Sequence, residues 1–552
     1  VTDMATTAAA PSALREGRLG TLAGTGKLLR FQLRRARVYL LGWFAGLVGF
    51  NWLVAAGFPE LYPTGAERAE FATTIDTPAM RSMTGPGEYL DVYASSIGAM
   101  FAHQMVLWVG AVVAVMFILL ITRLTRADEE TSRLEVIRSE PIGRRADLAA
   151  AILLAIVAAV ALGLLMALSV RGMEGAGLEG SLLYGLNYTA IGIVFAAVTA
   201  AAAQLGSYAS TANGMGFGVL GFAVLTSALG NAQENATVWF SPIGWAQVTF
   251  VFTPEHRWWP LLFAAAVAAV LFWWAFALVA RRDFGQGLMP ARAGRPEAKP
   301  GLHSISGLTF RLTRGLTWAA VVTMALLGAA YGSVIGSAAD MLSGLSEAQQ
   351  EIINQGGADY AENFASTISK IDAFFATIFG LLVIGRARKE ETGGRGELLA
   401  AAPIRRSGWP GSYLPAALFT SGLATIVGGI FLALTGAASM NDGSYFGKIL
   451  LASMLYLPAV WVMVALAYAT LAWLPRAGWL RWLPWVYVFI VGYYGRVLEL
   501  PDGAVNLSPF EHVSAYPAQD VEVLPVIVLF AIAAAFTALG YTGVRRRDLQ
   551  FS

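Results

Sequence analysis

The chain has no cysteine among its 552 residues. Disulfides, thiolate catalysis, iron–sulfur clusters and cysteine-ligated zinc are therefore excluded. Its four histidines, His103, His256, His303 and His512, are scattered without ligand spacing, so no metal site is expected. Charge is scarce as well. Only 13% of residues are Asp, Glu, Lys or Arg, against roughly 25% in ordinary soluble domains. A phosphate-cradling loop is also missing. Gly24-Thr25-Gly26-Lys27-Leu28 resembles the end of one, but Thr21 stands where the first glycine belongs, Leu28 follows the lysine, and no strand precedes it. With no nucleophile elbow or dinucleotide fingerprint in a suitable context, nothing supports an active site, and the chain is expected to be no enzyme and to bind no cofactor itself.

What is abundant is apolar. Hydrophobic residues make up 56%, mean hydropathy is +0.59, and there are 16 Trp. A membrane span needs about 20 mainly apolar residues. Such stretches fall near 38–58, 98–122, 147–170, 182–206, 213–230 and 260–280, then near 316–336, 366–385, 411–435, 449–472, 479–495 and 524–544. Charge tests this map independently. With both termini in the cytoplasm, 31 of the 38 Lys and Arg fall inside, while 22 of the 36 acidic residues fall outside. That is the positive-inside bias, and an odd number of spans would break it. On the same map every charged residue lies in a loop or at a span end, so none is expected mid-membrane. Proton- or sodium-coupled carriers usually keep ionisable residues inside the bundle, which weighs against a secondary carrier.

Residues 1–26 have no apolar core of a secretory signal. Lys27–Arg37 predicts an amphipathic basic helix at the inner interface, with Leu29 and Leu33 on one face and Arg30, Arg34 and Arg37 on another. The two halves of the chain also align. Glu129-Glu130-Thr131, Arg133, Glu135, Pro141-Ile142 and Arg144-Arg145 are matched by Glu390-Glu391-Thr392, Arg395, Glu397, Pro403-Ile404 and Arg405-Arg406. In this register one residue is inserted after the second Glu-Glu-Thr. Phe31 and Leu33 match Phe310 and Leu312, Ser241-Pro242 matches Ser508-Pro509, and Arg281-Arg282-Asp283 matches Arg546-Arg547-Asp548. An even number of spans per half makes the repeat parallel. The expected fold is thus an all-α polytopic membrane protein of twelve transmembrane helices in two six-helix halves, 38–285 and 316–552. A cytoplasmic N-terminus (1–37) precedes them, and a linker with a second interfacial helix (286–315) joins them.

The duplicated loop suits a short helix presented to a partner, because a mere turn would not retain such spacing. Two other classes stay open from the residues alone: a twelve-span drug:proton antiporter, and a membrane-embedded lipid-modifying enzyme or scaffold. The loop pattern between the second and third spans of a six-helix unit resembles the permease domain of ABC-2-type exporters. Its duplicated form is similar to actinobacterial permeases that export polyketide antibiotics, the tetronasin-type drug exporters among them. The resemblance implies that residues 128–141 and 390–403 couple to an ATPase through Glu129, Glu130, Thr131, Glu135 and Pro141, and through Glu390, Glu391, Thr392, Glu397 and Pro403. It implies two copies of a separately encoded ABC ATP-binding subunit that carries ATP and Mg, with membrane lipids but no nucleic acid as further partners. The substrate would be a hydrophobic or amphiphilic drug or antibiotic, or a lipid, moved along the second and fifth span of each half. Phe101, Met105, Trp108, Phe217, Phe222, Phe375, Phe379, Trp485, Phe489 and Tyr493 are the lining candidates.

Overall fold

A computed structural model describes residues 20–130, 142–283, 285–289, 296–298, 300–343, 360–392, 397, 408–494 and 501–547. Among the described residues there is no β-strand, and eleven helices are long and apolar enough to cross a membrane. The protein is a polytopic helical membrane protein. Its chain divides into two compact units, Val1–Gly294 and Arg295–Ser552.

The first unit begins with α1 (Thr25–Leu61). Leu28, Gln32, Ala36, Leu40, Leu47, Asn51 and Ala55 are buried along it, so one stripe runs unbroken from the basic turns into the apolar ones. Lys27–Arg37 is therefore not a separate interfacial helix. No breaker separates it from the span, and it forms the first turns of a single helix about 55 Å long. Two short helices follow, α2 (Gly65–Ile75) and α3 (Pro78–Thr84). Next come α4 (Ile97–Leu124), α5 (Ala146–Ser169), α6 (Leu178–Leu205) and α7 (Ala209–Ala232), then the short α8 (Pro242–Gln247) and finally α9 (Trp259–Val279). The α6 helix is buried on nearly every side, with α4, α5 and α9 packed around it. Its approach to α5 depends on a glycine pair: a Cβ on Gly185 would sit 2.1 Å from the Gly163 carbonyl oxygen. In a membrane such small-residue seams let helices gain packing that hydrophobicity cannot supply.

The second unit contains α10 (Ile305–Ser343), α11 (Tyr360–Thr392), α12 (Tyr413–Ser439), α13 (Ser444–Leu455), α14 (Leu457–Trp473), α15 (Leu483–Tyr494) and α16 (Val523–Arg546). The end of the 286–315 linker, where a second interfacial helix was expected, likewise forms the first turns of α10. The closest seam runs between α10 and α12, where a Cβ on Gly328 would lie 2.3 Å from the Gly428 carbonyl oxygen.

Two expectations change here. The stretch 479–495 does not begin as an α-helix. Its start lies in a 3-10 turn, Pro475–Trp482, that carries Pro475 and Gly478, and α15 is described from Leu483 to Tyr494, where the described residues pause. The apolar helices are also not free of ionisable groups. Asp372 lies within the candidate span helix α11, buried, with neither carboxylate oxygen hydrogen-bonded among the described residues. It is held against Gly428 of α12, where a Cβ would meet its Oδ2 at 2.3 Å. Hydropathy absorbs one such residue into an apolar average, which is why the charge map placed it at a span end.

Candidate functional site

The strongest polar constructions in each unit stand where the basic residues gather, at the end of the second span. In the first unit, α4 breaks at Thr125 and resumes as a turn, Arg126–Glu130. The turn holds Arg126, Asp128 and Glu129 against the protein rather than in solvent. Arg126 ion-pairs with Glu129, donates through Nε to the Ala203 carbonyl at 2.7 Å, and donates through Nη2 to the Gln286 carbonyl at 3.0 Å. Arg282, just beyond α9, reaches the same carboxylate through two bonds, Nη2 to Oε1 at 2.5 Å and Nη1 to Oε2 at 3.1 Å. Its Nε donates to Gln204 Oε1 at 2.7 Å. Asp128 accepts from Arg35 of α1 at 2.7 Å. Burial of these charges is tolerated because each acceptor oxygen of Glu129 and each Arg126 nitrogen finds a partner.

The second unit repeats the construction with different residues. Glu391 at the end of α11 pairs with Arg388 (3.1 Å) and with Arg547 beyond α16 (2.8 Å), while Glu390 pairs with Arg386 at 3.4 Å. Each cluster is an Arg–Glu–Arg triad joining the second span of its unit to the residues after the last. The triads make Glu391, not Glu390, the counterpart of Glu129. With that change the inserted residue disappears. Arg126 and Arg388, Glu129 and Glu391, Arg133 and Arg395, Glu135 and Glu397, and Pro141 and Pro403 all stand 262 residues apart.

The loop residues expected to couple to a partner differ in exposure. Glu129, Glu390 and Glu391 are buried and already bound to arginines. Glu130 is exposed, but its Oε1 accepts from the Ala209 amide at 2.7 Å and so caps the start of α7. Thr392 is exposed and donates to the Arg388 carbonyl at 2.9 Å. Glu397 is exposed. Thr131, Glu135, Pro141 and Pro403 lie outside the described residues.

The lining candidates divide. Phe101 is fully buried, packed edge-on to Phe58 and tilted against Tyr184, so it belongs to the core of the first unit. Met105 is half-buried and Trp108 exposed. Trp108 borders an open apolar groove of about 670 Å³ between α1 and α4, which Tyr39, Trp43 and Phe50 also line. Phe217 and Phe222 are exposed on α7. Phe375 and Phe379 are half-buried against Ala320, Met324 and Ala424. Trp485 donates to the Phe374 carbonyl at 3.0 Å and stacks on Phe489 at 5.4 Å. The side chain of Tyr493 is outside the described set.

At the opposite end of the first unit, His256 Nε2 meets Glu179 Oε1 at 2.9 Å. The hydrogen bond to Glu179, and a second to the Thr253 carbonyl, push the His256 pKa above its usual value. Among the described residues no group of His and acidic side chains could hold a metal ion.

Sequence reading missed the arginines of the triads. The signal was present, since Arg281-Arg282 and Arg546-Arg547 repeat with the Glu-Glu-Thr loops, but nothing linear says that they meet.

Comparison with known proteins agrees with the scaffold. Residues 302–545 match the family model described as multidrug efflux system permease Rv1217c, C-terminal domain. The chain is also 34% identical, over 531 residues, to the multidrug efflux system permease protein Rv1217c of Mycobacterium tuberculosis (strain ATCC 25618 / H37Rv), covering 96% of this chain and 95% of that one. Likeness across nearly the whole of both chains, on a many-span helical scaffold, places this protein in the family of multidrug efflux system permeases.

Proposed function

We propose that this chain is the transmembrane permease subunit of an ATP-driven ABC-2-type exporter for hydrophobic or amphiphilic drugs, powered by two copies of a separately encoded ATPase. The observation that carries the reading is a combination: a multidrug efflux permease family and a sequence without any phosphate-binding loop. A pump built on such a chain takes its energy from another subunit.

The basic ends of the spans are cytoplasmic in this reading, both termini included, and the two units are parallel six-helix halves. The Pro475–Trp482 turn and α15 stand where the eleventh span was expected. The triads act as braces. They tie the second span to the last, so a push on the loop that follows moves several helices as one body, the kind of rigid-body shift that alternating access requires. Docking then falls to the distal parts of the loops, 131–141 and 393–407, with Glu135 and Glu397 as the contact charges. Exposed aromatic surface at Trp108, Phe217 and Phe222 suits an apolar cargo.

The test is co-purification. The chain should retain an ATPase subunit and stimulate its hydrolysis, and the double charge reversal Glu135→Lys, Glu397→Lys should weaken both. Retention unchanged by that reversal would remove the docking assignment.

A further inference from the structure

The two basic clusters differ in how completely they are satisfied. Among the described residues, four partly buried guanidinium groups stand at the basic end of the second unit: Arg386 and Arg388 on α11, Arg481 in the Pro475–Trp482 turn, and Arg547 after α16. Glu390 and Glu391 serve Arg386, Arg388 and Arg547. Among the described residues Arg481 has no carboxylate partner; its Nη1 donates to the Gly478 carbonyl, and its Nε is buried without an acceptor. The Nε of Arg386 is likewise buried and unpartnered. The Arg481 guanidinium rests on the backbone of α11, since a Cβ on Gly385 would lie 2.7 Å from its Nη2. Gly385 adjoins Arg386 and precedes Arg388 by three residues, which places Arg388 one turn along the same face.

Buried guanidinium N–H groups left without acceptors are rare, and a water or an ion usually completes them. The surplus here is positive, and the geometry of a guanidinium fits a phosphate, whose oxygens accept paired N–H bonds. The surroundings resemble a membrane surface. Trp479, Leu474 and Leu483 are exposed beside the turn, and Arg481 lies over the Trp482 ring at 5.7 Å.

We propose that Arg481, with Arg386 and Arg388, forms a phosphate site on the second unit that holds the headgroup of an anionic phospholipid. Phosphate is the chemistry recognised; a lipid supplies it at this depth, with its chains along the exposed apolar residues flanking the turn. The site is independent of how the transporter is energised and has no counterpart at Arg126 and Arg282, whose donors are already engaged.

The test uses the full chain in detergent, titrated with phosphatidylglycerol or phosphatidylcholine and followed by native mass spectrometry, with inorganic phosphate in a parallel thermal-shift series. Wild type should retain one phosphatidylglycerol in preference to phosphatidylcholine. Arg481→Gln should weaken that binding about tenfold, the scale of one charge-assisted hydrogen bond. Arg481→Lys, which keeps the charge, should fall between, and Arg476→Gln at an exposed arginine of the same turn should bind as wild type. Gly385→Ala keeps every charge but intrudes on the seat of the guanidinium, and should weaken binding too. Stabilisation by inorganic phosphate that Arg481→Gln abolishes, without lipid preference, would support the phosphate site and assign it to a soluble anion. Equal binding of both lipids with no effect of phosphate, or an unaltered preference in Arg481→Gln, would overturn the proposal.

Discussion

The two Arg–Glu–Arg triads perform the same joining task with different margins. Around Glu129 the arginines are nearly sealed, with side chains 1% and 9% exposed, and backbone carbonyls and Gln204 take up the remaining donors. Around Glu391 they are 18% and 12% exposed, and Arg547 keeps two buried nitrogens without acceptors among the described residues. The first triad is a closed joint, whereas the second is a looser one with spare donors. Duplicated architecture therefore does not imply equal rigidity, and the contrast can be broken experimentally.

The largest effect is expected at Glu129→Ala. It strands two buried guanidinium groups, a loss on the order of 3–5 kcal/mol, read as a fall in the thermal unfolding midpoint of the purified chain. Glu391→Ala should cost less, about 1–3 kcal/mol, since its arginines reach solvent and Glu390 is close. A greater loss at Glu391 than at Glu129 would reverse the comparison. Asp372→Asn sharpens it from another side. The substitution removes a buried carboxylate that has no hydrogen-bond partner among the described residues, so the unfolding midpoint should hold or rise. A marked fall would mean that Asp372 has a partner the fold needs.

The smallest effect belongs to the His256–Glu179 pair. The raised folded-state pKa means that protonated His256 stabilises the fold. That contribution is complete below the unfolded value near 6.5 and fades as pH rises through the higher folded value. Wild type should thus lose slightly more stability than His256→Gln between about pH 6 and pH 8. Parallel pH curves for the two proteins would remove the pair from the account.

How much of this was legible in the sequence depended on whether the controlling physics is local. Apolar length is local, and the span helices stand where hydropathy placed them. Helix continuity is nearly so, yet Lys27–Arg37 misled because its charges signal an interface while its buried stripe at Leu28, Gln32 and Ala36 is set by tertiary packing. The start of the 479–495 stretch misled in the opposite direction, because apolar composition outweighed Pro475 and Gly478. The Glu-Glu-Thr loops were recognisable as duplicated, but the letters matched one residue out of step. Only the ion pairs, formed by residues some 155 positions apart, give the register. Asp372 escaped for a similar reason: nothing in its neighbours along the chain tells that Gly428 encloses it.

The central claim, a drug permease powered from outside the chain, is tested most directly by transport in reconstituted vesicles. A hydrophobic drug should be moved against its gradient only when the partner ATPase and ATP are both present, and an imposed proton gradient should not replace them. Drug movement by the chain alone, driven by a proton gradient, would contradict the account and make Asp372 the first residue to examine.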